Sequence, residues 1–216
     1  VKLKFQERLV RERQERERQA EVDRLEQLEK KRVEKELRKK MKRERKEKKA
    51  REVRMMDTGQ VRVPEDCSTL KEAVERVHED DRLTTIVVGK GEHKIDGLLY
   101  VVVSSAMNIV GDPAVPKEKI VVFGGFVFKA GIQENCHLQH LTLRQATEAG
   151  VLGNSSFTME DVLVEQCDYG VFAYGTGVVG RCTDVEVRQC KKSGVYVPHG
   201  ASITWIRANM SVKKLK

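Results

Sequence analysis

A long charged α-helix leading into a mainly β domain, a right-handed parallel β-helix with an N-terminal capping helix, is the fold class this sequence predicts. Three observations predict it. Residues 1–58 contain neither Gly nor Pro and are dominated by Glu, Lys, Arg, Gln and Leu, all good helix formers. A strand-like block ending in Gln-Ala or Gln-Cys and followed by Gly-Val occurs three times between residues 140 and 195. A short amphipathic segment stands just ahead of the first strand-like run, where a solenoid needs a cover for its open end.

The helix comes first, and charge marks where it stops. The chain of 216 residues has a formal charge of +8. Split at Met56, residues 1–56 hold 23 basic and 13 acidic side chains, a net of +10, while residues 57–216 hold 18 and 20, a net of −2. The basicity therefore belongs to the helical segment, and the rest of the chain forms a near-neutral body of ordinary domain size. Seven Glu-to-basic pairs at i,i+4 support the helix: Glu7–Arg11, Glu12–Arg16, Glu26–Lys30, Glu34–Arg38, Glu36–Lys40, Glu44–Lys48 and Glu47–Arg51. The apolar residues Val22, Leu25, Leu28, Val33, Leu37 and Met41 do not hold an a/d heptad, so a solvated single helix is expected over a coiled coil. Its densest basic stretch contains Arg38, Lys39, Lys40, Lys42, Arg43, Arg45, Lys46, Lys48 and Lys49. These are the candidate contacts to an acidic protein surface or to nucleic-acid phosphates, although no aromatic is interleaved to stack on bases.

Residues 57–67 read as a linker. In Ser68–Val77, Leu70, Ala73, Val74 and Val77 fall at i, i+3, i+4 and i+7, with Ser68 as the expected N-cap and Glu72 near the reciprocal position. The cap helix is expected over 68–79. Looser rungs follow at Thr84–Gly89, Met107–Gly111 and Ile120–Phe123.

The three strong repeats are His140–Ala146 with Gly150-Val151, Asp161–Cys167 with Gly170-Val171, and Asp184–Cys190 with Gly194-Val195. The step from Gln145 to Gln166, and again from Gln166 to Gln189, is about 22 residues, the length of one coil. Alternation of period two puts Leu141/Val162/Val185, Leu143/Val164/Val187, Ala146/Cys167/Cys190, Val151/Val171/Val195 and Leu138/Met159/Cys182 in inward stacks one rung apart. The solenoid is expected to span 68–210 in five to six coils, with 211–216 as a basic tail.

The cap "TLKEAV" (Thr69–Val74), "IVVGKGEH" (Ile86–His93), "NIVGD" (Asn108–Asp112) and the V-x-V-x-x-C-x-x-G-V coils resemble the right-handed parallel β-helix repeat proteins of the pectin-lyase-like superfamily. The nearest branch is the one found in F-box and Shc-binding proteins. The resemblance covers about residues 61–205 and implies a fold rather than an activity, since that fold carries lyases, hydrolases, esterases and binding scaffolds.

For chemistry, the outward ladder His140/Asp161/Asp184 offers the weak catalytic candidates, two carboxylates about one rung apart beside a histidine. No Gly-His-Gly, no Asp-Asp on a repeat strand and no Arg clearly beside the Asp ladder accompany them. The next ladder, Arg144/Glu165/Arg188, alternates in sign and reads as a self-neutralising stack. Gln145/Gln166/Gln189 reads as an amide ladder. Phe172 and Tyr196 each follow the repeat Val and form a candidate aromatic surface ladder, for a sugar or a protein, unless the segment Trp205–Met210 packs over them.

The five cysteines (67, 136, 167, 182 and 190), with no C-x-x-C and nothing resembling a signal peptide, point to reduced thiols and an intracellular setting, cytoplasmic or nuclear. No run approaches 18 apolar residues. No metal ligand set or cofactor motif is expected. The leading expectation is a non-enzymatic scaffold, a protein-interaction module with a basic helical docking or spacer arm. The alternatives are a polysaccharide-active lyase or hydrolase and a nucleic-acid-associated protein binding through residues 38–49.

Overall fold

The computed structural model describes the backbone of residues 2–95, 100–198, 200–207 and 209–211, and the side chains of residues 18, 19, 21, 24, 27–95, 100–198 and 200–207. The chain divides into two units, Val1–Val53 and Arg54–Lys216.

Helix α1 runs Lys2–Thr58, and every side chain from 27 to 54 is exposed. Arg38 pairs with Glu34 at 2.8 Å as expected, whereas Lys40 turns to Glu44 (3.9 Å) rather than Glu36. The expected pairs at Glu7, Glu12 and Glu26 lie outside the described side chains.

The second unit is a parallel β-solenoid of about six coils, built from three parallel sheets of seven, five and six strands. The seven-stranded sheet stacks Gln60–Val63, Thr85–Val88, Asn108–Gly111, Cys136–Gln139, Phe157–Glu160, Val179–Thr183 and Ser202–Ile206. The six-stranded sheet stacks Gly91–Lys94, Ile120–Phe123, Thr142–Arg144, Leu163–Glu165, Glu186–Arg188 and Asn209–Ser211. The five-stranded sheet stacks Tyr100–Val103, Gly125–Phe128, Ala149–Gly153, Tyr169–Ala173 and Ser193–Tyr196. All three looser upstream segments lie in this array.

The segment expected as a linker differs. Gln60–Val63 is the first strand of the solenoid, paired with Thr85–Val88, and Val61 and Val63 are buried. Two alternating valines were too short a signal to show this. Met55, at the end of α1, is buried with the same core.

The repeat arithmetic sets the register. Met159 stands between Leu138 and Cys182, Val164 between Leu143 and Val187, and Val171 between Val151 and Val195. Nearly all of these side chains are fully buried, and Phe126, Phe128 and Phe157 are the largest fully buried side chains of the core. Gly170 is required by this packing, because a β-carbon there would lie 2.3 Å from the Val187 methyl and 2.4 Å from the Gly194 carbonyl.

Helix α2 (Leu70–Glu79) covers the first coil with Leu70, Ala73, Val74 and Val77. Its N-cap is Thr69, one residue beyond the expected Ser68. Thr69 sits three residues before Glu72, so its Oγ1 accepts the Glu72 amide while the Glu72 carboxylate accepts the Ser68 amide. The expected tail 211–216 lies outside the described residues beyond Ser211.

Candidate functional site

Three outward features of the coils carry the residues singled out above. The first is the corner between the seven- and six-stranded sheets. His140, Asp161 and Asp184 turn that corner with φ of 54°, 51° and 52°, and Arg207 repeats it one rung later at 52°. Asp and His tolerate this left-handed conformation better than most residues, so the backbone alone gives a reason for their place here.

The corner side chains are paired. His140 Nδ1 donates to Asp161 Oδ2 at 2.6 Å and Nε2 donates to the Val115 carbonyl at 2.8 Å, while Lys117 Nζ reaches Asp161 Oδ1 at 2.5 Å. Burial works against the imidazolium, but the Asp161 carboxylate and the Val115 carbonyl outweigh it and raise His140 above the usual histidine range. Burial likewise pulls the Asp161 carboxyl up, yet Lys117 and His140 together hold it below the usual carboxylate range. Asp184 pairs with Arg207 at 3.1 Å, so an arginine does stand beside the Asp ladder. This arrangement suits fixing the loop 112–119 to the corner. In this pairing Asp161 is an ionised carboxylate with no proton to give, and His140 as the imidazolium, the form that donates through both ring nitrogens, has no free lone pair to act as a base.

The second feature is the ladder on the six-stranded sheet. Glu165, only 4% exposed, is gripped from both sides: Arg144 contributes bonds of 2.7 and 2.6 Å and Arg188 two of 2.8 Å. Burial raises the Glu165 carboxyl, and the two guanidinium groups outweigh it and hold it below the usual range. Beside it the Gln145 amide donates to Gln166 at 3.4 Å and the Gln166 amide to Gln189 at 3.2 Å. Both are the structural stacks that the alternation of residue types indicates.

The third feature is the outer face of the five-stranded sheet. Register places Val102, Val127, Leu152, Phe172 and Tyr196 in one ladder crossing all five strands. Val102 and Tyr196 are 43% and 44% exposed, and Val127, Leu152 and Phe172 are half-buried. Phe172 packs edge-on to Tyr196 with centroids 4.9 Å apart, Tyr169 lies 5.7 and 5.5 Å from the two rings, and Tyr174, 57% exposed, closes the cluster. Lys192 sits over Tyr169 at 5.1 Å. Of the segment Trp205–Met210, the expected cover for the rings, Trp205 and Ile206 instead extend the seven-stranded sheet, with Trp205 beside Cys182, and Asn209 and Met210 extend the six-stranded sheet. By contrast, the corresponding ladder of the seven-stranded sheet is mostly polar: Gln60, Thr85, Asn108, His137, Thr158, Arg181 and Thr204.

Sequence reasoning missed Lys117, Arg207, Val102 and Val127. Arg207 was within reach, since the step from Asp184 to Arg207 equals the step from Asp161 to Asp184. Lys117 opens a single 3-10 turn, Lys117–Lys119, in a connection that no repeat positions. Among the described residues, no group of three or more His, Cys, Asp or Glu converges as metal ligands would. All five cysteines are free and buried, and burial pushes the thiols of Cys167 and Cys182 up to about 12. No described helix is long and apolar enough to cross a membrane. Along α1, the nine candidate basic residues from Arg38 to Lys49 are exposed, and among the described residues only Arg38 and Lys40 of this set join an ion pair.

Fold and surface together define a parallel β-solenoid whose five-stranded sheet carries an apolar outer ladder. Comparison with protein-family models, with curated proteins and with solved structures finds no match for the chain.

Proposed function

We propose that this chain is a non-enzymatic interaction module whose coils present the five-stranded sheet to a protein partner, with α1 as a docking or spacer arm. The observation that carries this reading is the apolar ladder of that sheet, which crosses all five strands and ends in an aromatic cluster: Tyr169, Phe172 and Tyr196 in mutual contact, with Tyr174 against Phe172. A contiguous apolar strip of this kind, about 19 Å from first to last strand, marks an interaction surface. Aromatic anchors packed against one another lose little side-chain freedom on binding.

A protein fits the strip better than a sugar. The rings are tilted by 43° to 86° to one another, so they offer no flat stacking platform, and the ladder contributes valine and leucine rather than hydrogen-bonding groups. Within this reading the chain is a scaffold member of the pectin-lyase-like superfamily, akin to the branch in F-box and Shc-binding proteins. The cap, "NIVGD" and V-x-V-x-x-C-x-x-G-V motifs support that kinship, and five unpaired thiols support a reducing, intracellular setting.

The test is a photo-crosslinking scan. A photoreactive phenylalanine at position 172 or 196 should trap discrete protein adducts in extracts of cells expressing the chain. The same group at Thr158 or Thr204, on the seven-stranded sheet, should trap none. Adducts confined to the seven-stranded sheet would refute the assignment of the face.

A further inference from the structure

The exposed cations of α1 are not spread evenly around the helix. Advancing 100° per residue, Lys31, Lys35, Lys39, Lys42, Lys46 and Lys49 fall within an arc of about 80°. Arg32, Arg38 and Arg43 flank them, widening the arc to about 140°. The span holds four acidic residues, Glu34, Glu36, Glu44 and Glu47, and all of them project outside that arc. Among the described residues, none of the six lysines makes an ion pair; the cations of this span that do, Arg38 and Lys40, lie at the edge of the arc and outside it. A helix stabilised only by its own charges would gain most by pairing them, so this uncompensated stripe calls for a partner.

We propose that residues 31–49 bind the phosphate backbone of duplex nucleic acid through this stripe, without reading sequence. The charge spacing favours that partner. Successive lysines lie three or four residues apart, about 4.5 to 6 Å along the axis. The span from Lys31 to Lys49 carries twelve basic and four acidic side chains, a net of +8. That is about one positive charge per 3.5 Å of helix, close to the one phosphate per 3.4 Å along each strand of a duplex. An acidic protein surface has no such regular linear density. Residues 31–49 include no Asn, Gln or aromatic residue, the types that read base edges or stack on bases, so the contacts position but do not specify. This inference does not depend on the sheet face, because it concerns α1 alone.

The test measures fluorescence anisotropy of two 20-base-pair duplexes of unrelated sequence against three proteins, each the full chain. These are the unaltered chain, the stripe variant Lys39→Gln/Lys42→Gln/Lys46→Gln and the opposite-face variant Lys30→Gln/Lys40→Gln/Lys48→Gln. Gln preserves helix propensity and the two variants have equal net charge, and circular dichroism checks that the helix is retained. Six phosphate contacts give a log–log salt slope of about −5.4, so affinity should fall about 10³-fold between 50 and 200 mM salt. The stripe variant should bind more weakly at 50 mM and fall only about 40-fold over the same range. The opposite-face variant should keep the slope of the unaltered chain, and both duplexes should bind alike. A flat salt response, equal losses in the two variants, or tighter binding to polyglutamate than to duplex would each overturn the proposal, the last in favour of an acidic protein.

Discussion

Removing the buried Glu165 carboxylate would leave the half-buried Arg144 and Arg188 guanidinium groups facing each other without their shared partner. Glu165→Ala should therefore destabilise the solenoid by about 1–3 kcal/mol in urea titrations. Replacing Arg144, Glu165 and Arg188 together by Met should recover most of that loss, because it leaves no uncompensated charge. His140 makes a pH-dependent contribution whose sign follows from its raised pKa. Its stabilisation is full below about pH 6.5, the unfolded value, and is lost as pH rises through the higher folded value. Asp161 acts in the opposite sense, contributing above its ordinary range and losing that contribution as pH falls through its lowered value. Stability measured from pH 6 to 8 should fall in the unaltered chain and fall less in His140→Asn. At this scale the sequence showed which residues stack but not all that pair with them. Arg144, Glu165 and Arg188 were legible because alternation places them, while Lys117 reaches Asp161 from a 3-10 turn outside the repeats.

Elements were legible where they repeat. From Leu138 to Val195 three coils share one pattern, and every predicted inward position except Val195 is buried. Upstream, the strand Gln60–Val63 read as a linker because its evidence is two valines and its partner, Thr85–Val88, lies a helix away in sequence. The N-cap falls on Thr69 because its Oγ1, three residues ahead, reaches the Glu72 amide, while the Glu72 carboxylate returns to the Ser68 amide. Thr69→Ala should cost about 1 kcal/mol by thermal unfolding, and Ser68→Ala much less. The corner residues test backbone against chemistry. Asp184→Asn keeps a side chain suited to the left-handed backbone and loses only an exposed ion pair, so it should lie within about 0.5 kcal/mol of the unaltered chain. Asp184→Val forces a β-branched residue into that conformation and should cost about 1–3 kcal/mol.

Across the whole molecule, a formal charge of +8 conceals two different surfaces. The basic excess belongs to residues 1–56, where it suits a polyanion, while the coils are near neutral and offer shape and apolar contact. The five-stranded ladder was half visible in the sequence: Phe172, Tyr196 and Leu152 follow the repeat Val, but Val102 and Val127 precede the regular repeats and only the observed register aligns them. The central claim is that the coils act by recognition through this face rather than by chemistry at the corner. Once a crosslinked partner is identified, its affinity should be measured for the unaltered chain, for Leu152→Thr/Phe172→Thr/Tyr196→Thr and for Asp161→Asn. Loss of the aromatic anchors should weaken binding at least about 30-fold, the scale of a single 2 kcal/mol hot spot, while Asp161→Asn stays within about twofold. Unchanged affinity in the triple variant, with loss in Asp161→Asn, would contradict the account.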